Sequence, residues 1–191
     1  MYAELLADRE LPGLLLRFDQ DLAAECRARG CPRCAGTLHS ARYRRKPRGG
    51  PPDLPADYDR RFSFCCAVDG CRSRATPTSL RYLSRKVYLA AVVVLITAMR
   101  CGTRPARLRY LEALIGVSRR TIYRWRAWWR EIFPEMPFWA AARAQLLPPI
   151  ERALLPAALL ERFAGSLRER LIALLRFLAP VTTAIPAVHT T

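Results

Sequence analysis

Apolar positions along this chain follow a helical period in some stretches and strict alternation in others, and proline- or glycine-rich breaks separate them. Over residues 13–29, Leu15, Phe18, Leu22 and Cys26 fall on one side of a 3.6-residue repeat, which predicts an amphipathic helix. The segment CPRCAGTLHSARYRRK then turns to alternation around Leu38, Ala41 and Tyr43. DRRFSFCC alternates again, with Phe62 and Phe64 on one face. Two short strands are expected here, forming a hairpin through RGGPPDLPAD (48–57), which is too rich in proline and glycine for regular structure.

The helical period returns after residue 83. Ser84 is placed to cap a helix over 85–100, CGTRP interrupts it, and Pro105 suits the first turn of a second helix reaching Ile115. Gly116 marks a sharp turn, Ser118 caps a third helix, and Pro134 lies close to its end. Seven prolines (134, 137, 148, 149, 156, 180 and 186) punctuate the remainder around one helix striped by Leu160, Phe163, Leu167, Leu171, Leu174 and Leu178. That stripe is expected to dock on the preceding domain or, through 157–178, to form a homodimer. The fold class is therefore mainly α with a small β ribbon. An N-terminal helix (1–30) precedes the ribbon hairpin (31–80), a three-helix domain (84–133) and a C-terminal helical region (134–191).

Charge sharpens this division. The net charge is +16, and the excess lies in the middle hundred residues: 22 bases face five acids over 31–130, whereas both flanks are nearly balanced. A field concentrated in this way attracts polyanions and displaces their counterions, so double-stranded DNA is the expected partner. The longest apolar run, over 87–99, is too short to span a bilayer, and no basic segment precedes an apolar one at the N-terminus. A soluble, cytoplasmic protein without membrane contact is expected, and its seven cysteines should serve as thiols and metal ligands rather than disulfides.

Cys31-Pro-Arg-Cys34-Ala-Gly36 has the two-residue gap that lets two thiolates reach one ion, with a glycine where backbone amides turn toward sulfur. The other two ligands must come from FCCAVDGCRSR (64–74). Asp69-Gly70 supplies a turn directly before Cys71 and favours it. Cys66 shares the face of Phe62 and Phe64, while Cys65 points with Ser63 and Arg61, so Cys66 is preferred and Cys65 stays the alternative. His39 could replace a cysteine, and a redox role for Cys31 and Cys34 would need a βαβ context that is absent. The expected site is a structural Zn2+ on Cys31, Cys34, Cys66 and Cys71, making the hairpin a zinc ribbon.

LRYLEALIGVSRRTIYRWRAWWREIF (108–133) has the layout of a helix-turn-helix. With Gly116 at the turn, Leu111, Ile115, Val117, Ile122 and Trp125 occupy the positions that must be buried, although Glu112 stands where a small residue is usual. The opposite face carries Ser118, Arg119, Arg120, Thr121, Tyr123 and Arg124, placed to read base edges in the major groove. Arg126 and Arg130 lie further along for phosphates, and Arg104, Arg107 and Arg109 would flank the backbone from the second helix. Trp128 is expected to pack. Arg42, Arg44, Arg45 and Lys46 of the ribbon would add phosphate contacts, or the ribbon would hold a partner.

A zinc ribbon followed by a helix-turn-helix, carried here by CPRCAG, FCCAVDGCRSR and GVSRRTIYRWRAWW over roughly residues 31–133, resembles the small DNA-binding proteins and N-terminal modules of bacterial insertion-sequence transposases. The resemblance implies recognition of an element's terminal repeats beside a separate transposase or recombinase subunit. The second knuckle departs from the usual two-residue gap. Catalysis is not expected in this chain: few carboxylates follow Arg130, and His39 and His189 are far apart. A transcriptional regulator, or a zinc-ribbon adaptor binding a recombinase, are the alternative functions.

Overall fold

In the computed structural model, residues 2–50, 53–83, 89–99, 109–110, 112–113 and 115–183 are described. Ser84, Arg104, Pro105, Arg107, Leu111, Pro186 and His189, all singled out above, lie outside them. The architecture is mixed: helices make up the larger share, with small antiparallel sheets between the N-terminal and central helices.

The chain opens with α1 (Tyr2–Leu6) and α2 (Glu10–Arg29). Helix α2 starts three residues earlier than expected because Asp8 Oδ1 accepts the Glu10 amide at 2.9 Å. Leu11, Leu15, Asp19 and Ala23 recur every four residues on its buried face, so a carboxylate interrupts the apolar stripe. Phe18, Leu22 and Cys26 are only half-buried at its margin.

The ribbon is a hairpin with a kink and an added strand. Strands β1 (Leu38–Ser40) and β4 (Phe64–Cys66) pair antiparallel with Leu38 opposite Cys66, and β2 (Tyr43–Arg44) pairs with β3 (Arg60–Arg61). Between these ladders the Ala41 amide donates to Ser63 O at 2.8 Å. Strand β5 (Arg74–Ala75) joins the free side of β4, giving the order β1-β4-β5. Arg61 and Ser63, on the face opposite Phe62 and Phe64, are buried as well. Segment 76–79 covers them: Ser63 Oγ meets Thr76 Oγ1 at 3.2 Å, and Arg61 Nη2 donates to Pro77 O at 2.5 Å.

A polar knot ties α2 to the ribbon. Asp19 and Arg81 are both fully buried, with Arg81 Nε 2.8 Å from Asp19 Oδ2. Ser79 Oγ and the Leu80 amide also donate to that carboxylate, at 2.5 and 2.6 Å. The other Arg81 nitrogens donate to Tyr58 O and Arg60 O, and its guanidinium lies among the rings of Tyr58, Phe62 and Tyr82. Each Arg81 side-chain nitrogen and both Asp19 oxygens thus have a partner, as a buried charge pair requires.

Helix α3 (Ala90–Ala98) is buried at all nine positions. Its first residue is Ala90, since Leu89 is extended and bridges Tyr82; residues 84–88 of the expected helix lie outside the described ones. Being apolar on every side, it serves as the central post: α1, α4 (Arg119–Ala127), α6 (Ala157–Leu160) and α7 (Leu167–Leu178) all pack against it. Among the described residues no helix is long and apolar enough to cross a membrane.

The predicted third helix is α only over α4. It continues as a π-helical turn (Trp128–Ile132) and a 3₁₀ turn (Phe133–Glu135) before α5 (Pro137–Ala142). Trp128, Trp129, Phe133 and Trp139 form a buried aromatic cluster, with Trp129 4.9 Å from Trp128 and 4.8 Å from Phe133 between centroids. Trp128 therefore packs. The single C-terminal helix expected around 160–178 is two: Ser166 and Glu169 form a capping box that restarts the chain as α7, leaving Phe163 in the connection. Leu159, Leu160, Leu171, Leu174, Leu175 and Leu178 are buried within the chain itself, while Phe163 and Leu167 are half-buried.

Candidate metal centre and basic helix

Two tight turns bring four sulfurs together. In the first, the Cys31 amide donates to Gly36 O at 2.9 Å and the Ala35 amide to Cys31 O at 2.8 Å, closing a loop around Cys31-Pro-Arg-Cys34. The Arg33 amide then points at Cys31 Sγ, 3.5 Å away. Gly36 is needed for close approach: a Cβ there would lie 2.5 Å from Val68 Cγ2 and 3.3 Å from Cys34 Sγ. In the second turn the Val68 amide faces Cys66 Sγ at 3.4 Å, and the Cys71 amide donates to Val68 O at 3.2 Å.

Cys31 Sγ lies 3.7 Å from Cys71 Sγ, and Cys34 Sγ 3.5 Å from Cys66 Sγ; all four sulfurs are within 4.8 Å of one another. Four thiolates at bonds of about 2.3 Å around a tetrahedral ion would sit about 3.8 Å apart. The cluster could hold one metal ion, and its geometry is compatible with a zinc ribbon. Its thiols differ without a cation: the Arg33 amide lowers Cys31 to about 6, whereas burial pushes Cys66 up to about 12. Cys65 stands apart, facing the other side of β4 with its thiol 3.5 Å from Arg72 O. Opposite it across the β1–β4 ladder is His39, exposed and likewise outside the cluster. Cys26 is half-buried on α2, and burial raises its thiol.

The second candidate surface is α4. The described residues of 109–115 are helical, and Gly116 follows with φ +60°, a left-handed turn open to solvent that suits glycine. Ile115 and Val117 are buried on either side of it. Ser118 is the N-cap by backbone only: its carbonyl accepts the Thr121 and Ile122 amides, while its hydroxyl meets Thr121 Oγ1 at 3.2 Å. The cap across the turn is Glu112, whose Oε1 accepts the Arg119 amide at 2.6 Å. Glu112, the residue that departs from the small-residue pattern, thus satisfies an orphan donor of α4.

Ile122, Trp125 and Trp129 seat one side of this segment in the core. The other side exposes Arg119, Arg120, Tyr123 and Arg124, which with Ala127 line an open groove. Arg130 is exposed beyond them. Two expected contact residues are placed differently. Thr121 is buried at the core margin, where its hydroxyl accepts Arg124 Nη2 at 3.0 Å, so it positions Arg124 instead of facing outward. Arg126 is half-buried, and its Nη2 reaches Met99 O at 3.5 Å, bracing the C-terminus of α3. Arg109 and Tyr110 are exposed. Comparison of the chain with protein-family models, with curated proteins and with solved structures returned no match.

Proposed function

We propose that the chain is a non-enzymatic DNA-binding protein in which residues 109–127 act as a helix-turn-helix and a structural zinc ion holds the ribbon. The observation that carries this reading is the division of α4. Its inward side chains are buried to within a few percent of full cover, and its outward side is a run of exposed arginines beside Tyr123. A solvated face would mix signs for solubility; this one concentrates positive charge on one side of a helix, with Arg119 and Arg120 exposed in its first turn. Arg119, Arg120 and Arg124 would read guanine edges in the major groove, and Arg130 would meet phosphate. For the metal, an all-thiolate tetrahedral set suits zinc and leaves no position for a reacting water, so its role is structural. In the setting that the insertion-sequence resemblance implies, the protein would recognise element ends for a separate recombinase.

Fluorescence anisotropy with labelled duplexes tests the reading. Arg120→Ala combined with Arg124→Ala should weaken binding by roughly 10²-fold or more, as each bidentate arginine contributes about 1–3 kcal/mol. Metal content and helical circular dichroism should stay at the wild-type level. Unchanged affinity in the double variant would overturn α4 as the reading helix.

A further inference from the structure

The ribbon carries a second row of cations whose spacing and anchoring match a nucleic-acid backbone. Along residues 41–48 burial alternates strictly. Ala41, Tyr43, Arg45 and Pro47 are half-buried, while Arg42, Arg44, Lys46 and Arg48 are exposed. In extended chain, alternate residues are about 6.6 Å apart and share one side. This is comparable to the separation of successive phosphates along one strand. Arg42 and Arg45 are not part of the row: the Arg42 guanidinium lies over the Phe62 ring, 4.8 Å from its centroid, and that of Arg45 is turned inward over the rings of Tyr43 and Tyr82, while the Arg45 amide donates to Asp59 O. Asp59 approaches Arg44 Nε only at 3.8 Å, a loose exposed pair of little energetic weight that a phosphate can displace.

The row is fixed relative to α4. The strand pairing of Tyr43 and Arg44 with Arg61 and Arg60 holds one end. At the other end Arg48 O accepts the Leu89 amide at 3.2 Å, just before α3. Gly49 then lies against the turn itself: a Cβ there would meet Val117 Cγ2 at 3.1 Å, Val92 Cγ1 at 3.4 Å and Trp125 Cη2 at 3.9 Å. Val117 immediately precedes the N-cap of α4, and Trp125 is its inward anchor. The backbone after Arg48 therefore packs directly on the residues that set the position of the proposed reading helix, with no linker between them.

We propose that Arg44, Lys46 and Arg48 form a second DNA contact, a phosphate-tracking row held in fixed register with α4, so that one duplex engages both at once. The proposal rests on α4 being the DNA-reading helix and adds to it a contact of defined position. Such a row contributes affinity and salt dependence without base preference.

The test uses the full-length, metal-loaded protein carrying Arg44→Ala, Lys46→Ala and Arg48→Ala, with an Arg44→Lys/Arg48→Lys variant as the charge-preserving control. The slope of log affinity against log salt should fall by about 2–3 in the alanine variant, and stay at the wild-type value in the lysine variant. Hydroxyl-radical protection of the backbone should be lost on one flank of the site, with the selected base sequence unchanged. A wild-type slope and intact flank protection in the alanine variant would overturn the second contact, while leaving α4 as reader if Arg120 and Arg124 are still required. Absence of duplex binding by the wild-type chain would overturn both. A changed base preference in the alanine variant would also overturn the proposal, since a phosphate row reads no bases.

Discussion

Cys66→Ser is expected to abolish binding of the metal ion, whereas Cys65→Ser retains one ion per chain. The two residues are neighbours of identical chemistry, so the difference is one of direction. Cys66 lies 3.5 Å from Cys34 across the cluster and is turned inward with Phe62 and Phe64. Cys65 shows the opposite side of β4 to Arg72 O. For structural zinc sites the apparent binding free energy is about 10–16 kcal/mol and is in effect folding free energy. Cys66→Ser should therefore also lower the stability of the ribbon, with loss of ordered structure near residues 31–75. Metal content by atomic emission, read together with the unfolding midpoint, checks both halves. Retention of the ion by Cys66→Ser with its loss from Cys65→Ser would contradict the assignment.

Asp19→Ala should be the most destabilising single change outside the cluster, by about 3–5 kcal/mol. The substitution strands the Arg81 guanidinium at a site with no solvent access, and it removes the acceptor of Ser79 Oγ and the Leu80 amide. Since domains are stable by only about 5–15 kcal/mol, this is a large share of the whole. Asp21→Ala, two residues along the same helix and exposed, provides the control and should shift stability by less than about 0.5 kcal/mol. Urea unfolding of the two variants decides the matter; equal midpoints would mean that the buried pair does not hold α2 to the ribbon.

Features encoded locally were the legible ones. The two-residue gap of Cys31 and Cys34, and the Asp69-Gly70 turn before Cys71, identify themselves by spacing alone. The preference for Cys66 follows from alternation with two phenylalanines, and the inward positions Ile115, Val117, Ile122 and Trp125 from the helix-turn-helix pattern. What depends on segments distant in sequence was not legible. Nothing local to Arg61 and Ser63 shows that segment 76–79 folds over them. Thr121 looks like part of the charged face, yet its hydroxyl is drawn in to Ser118 and Arg124. Two further signals are written in the sequence itself. Asp19 keeps step with Leu11, Leu15 and Ala23, which marks a buried carboxylate in search of a cation. Ser166-x-x-Glu169 announces a helix start inside a continuous leucine stripe.

The proposed function rests on α4 presenting its arginine face to the bases of a duplex. Selection from a pool of random duplexes with the metal-loaded, full-length protein tests it most directly. A base-reading α4 yields a defined motif containing guanine at positions whose enrichment disappears with Arg120→Ala/Arg124→Ala; recovery of no motif, or of the same motif with the double variant, would contradict that role.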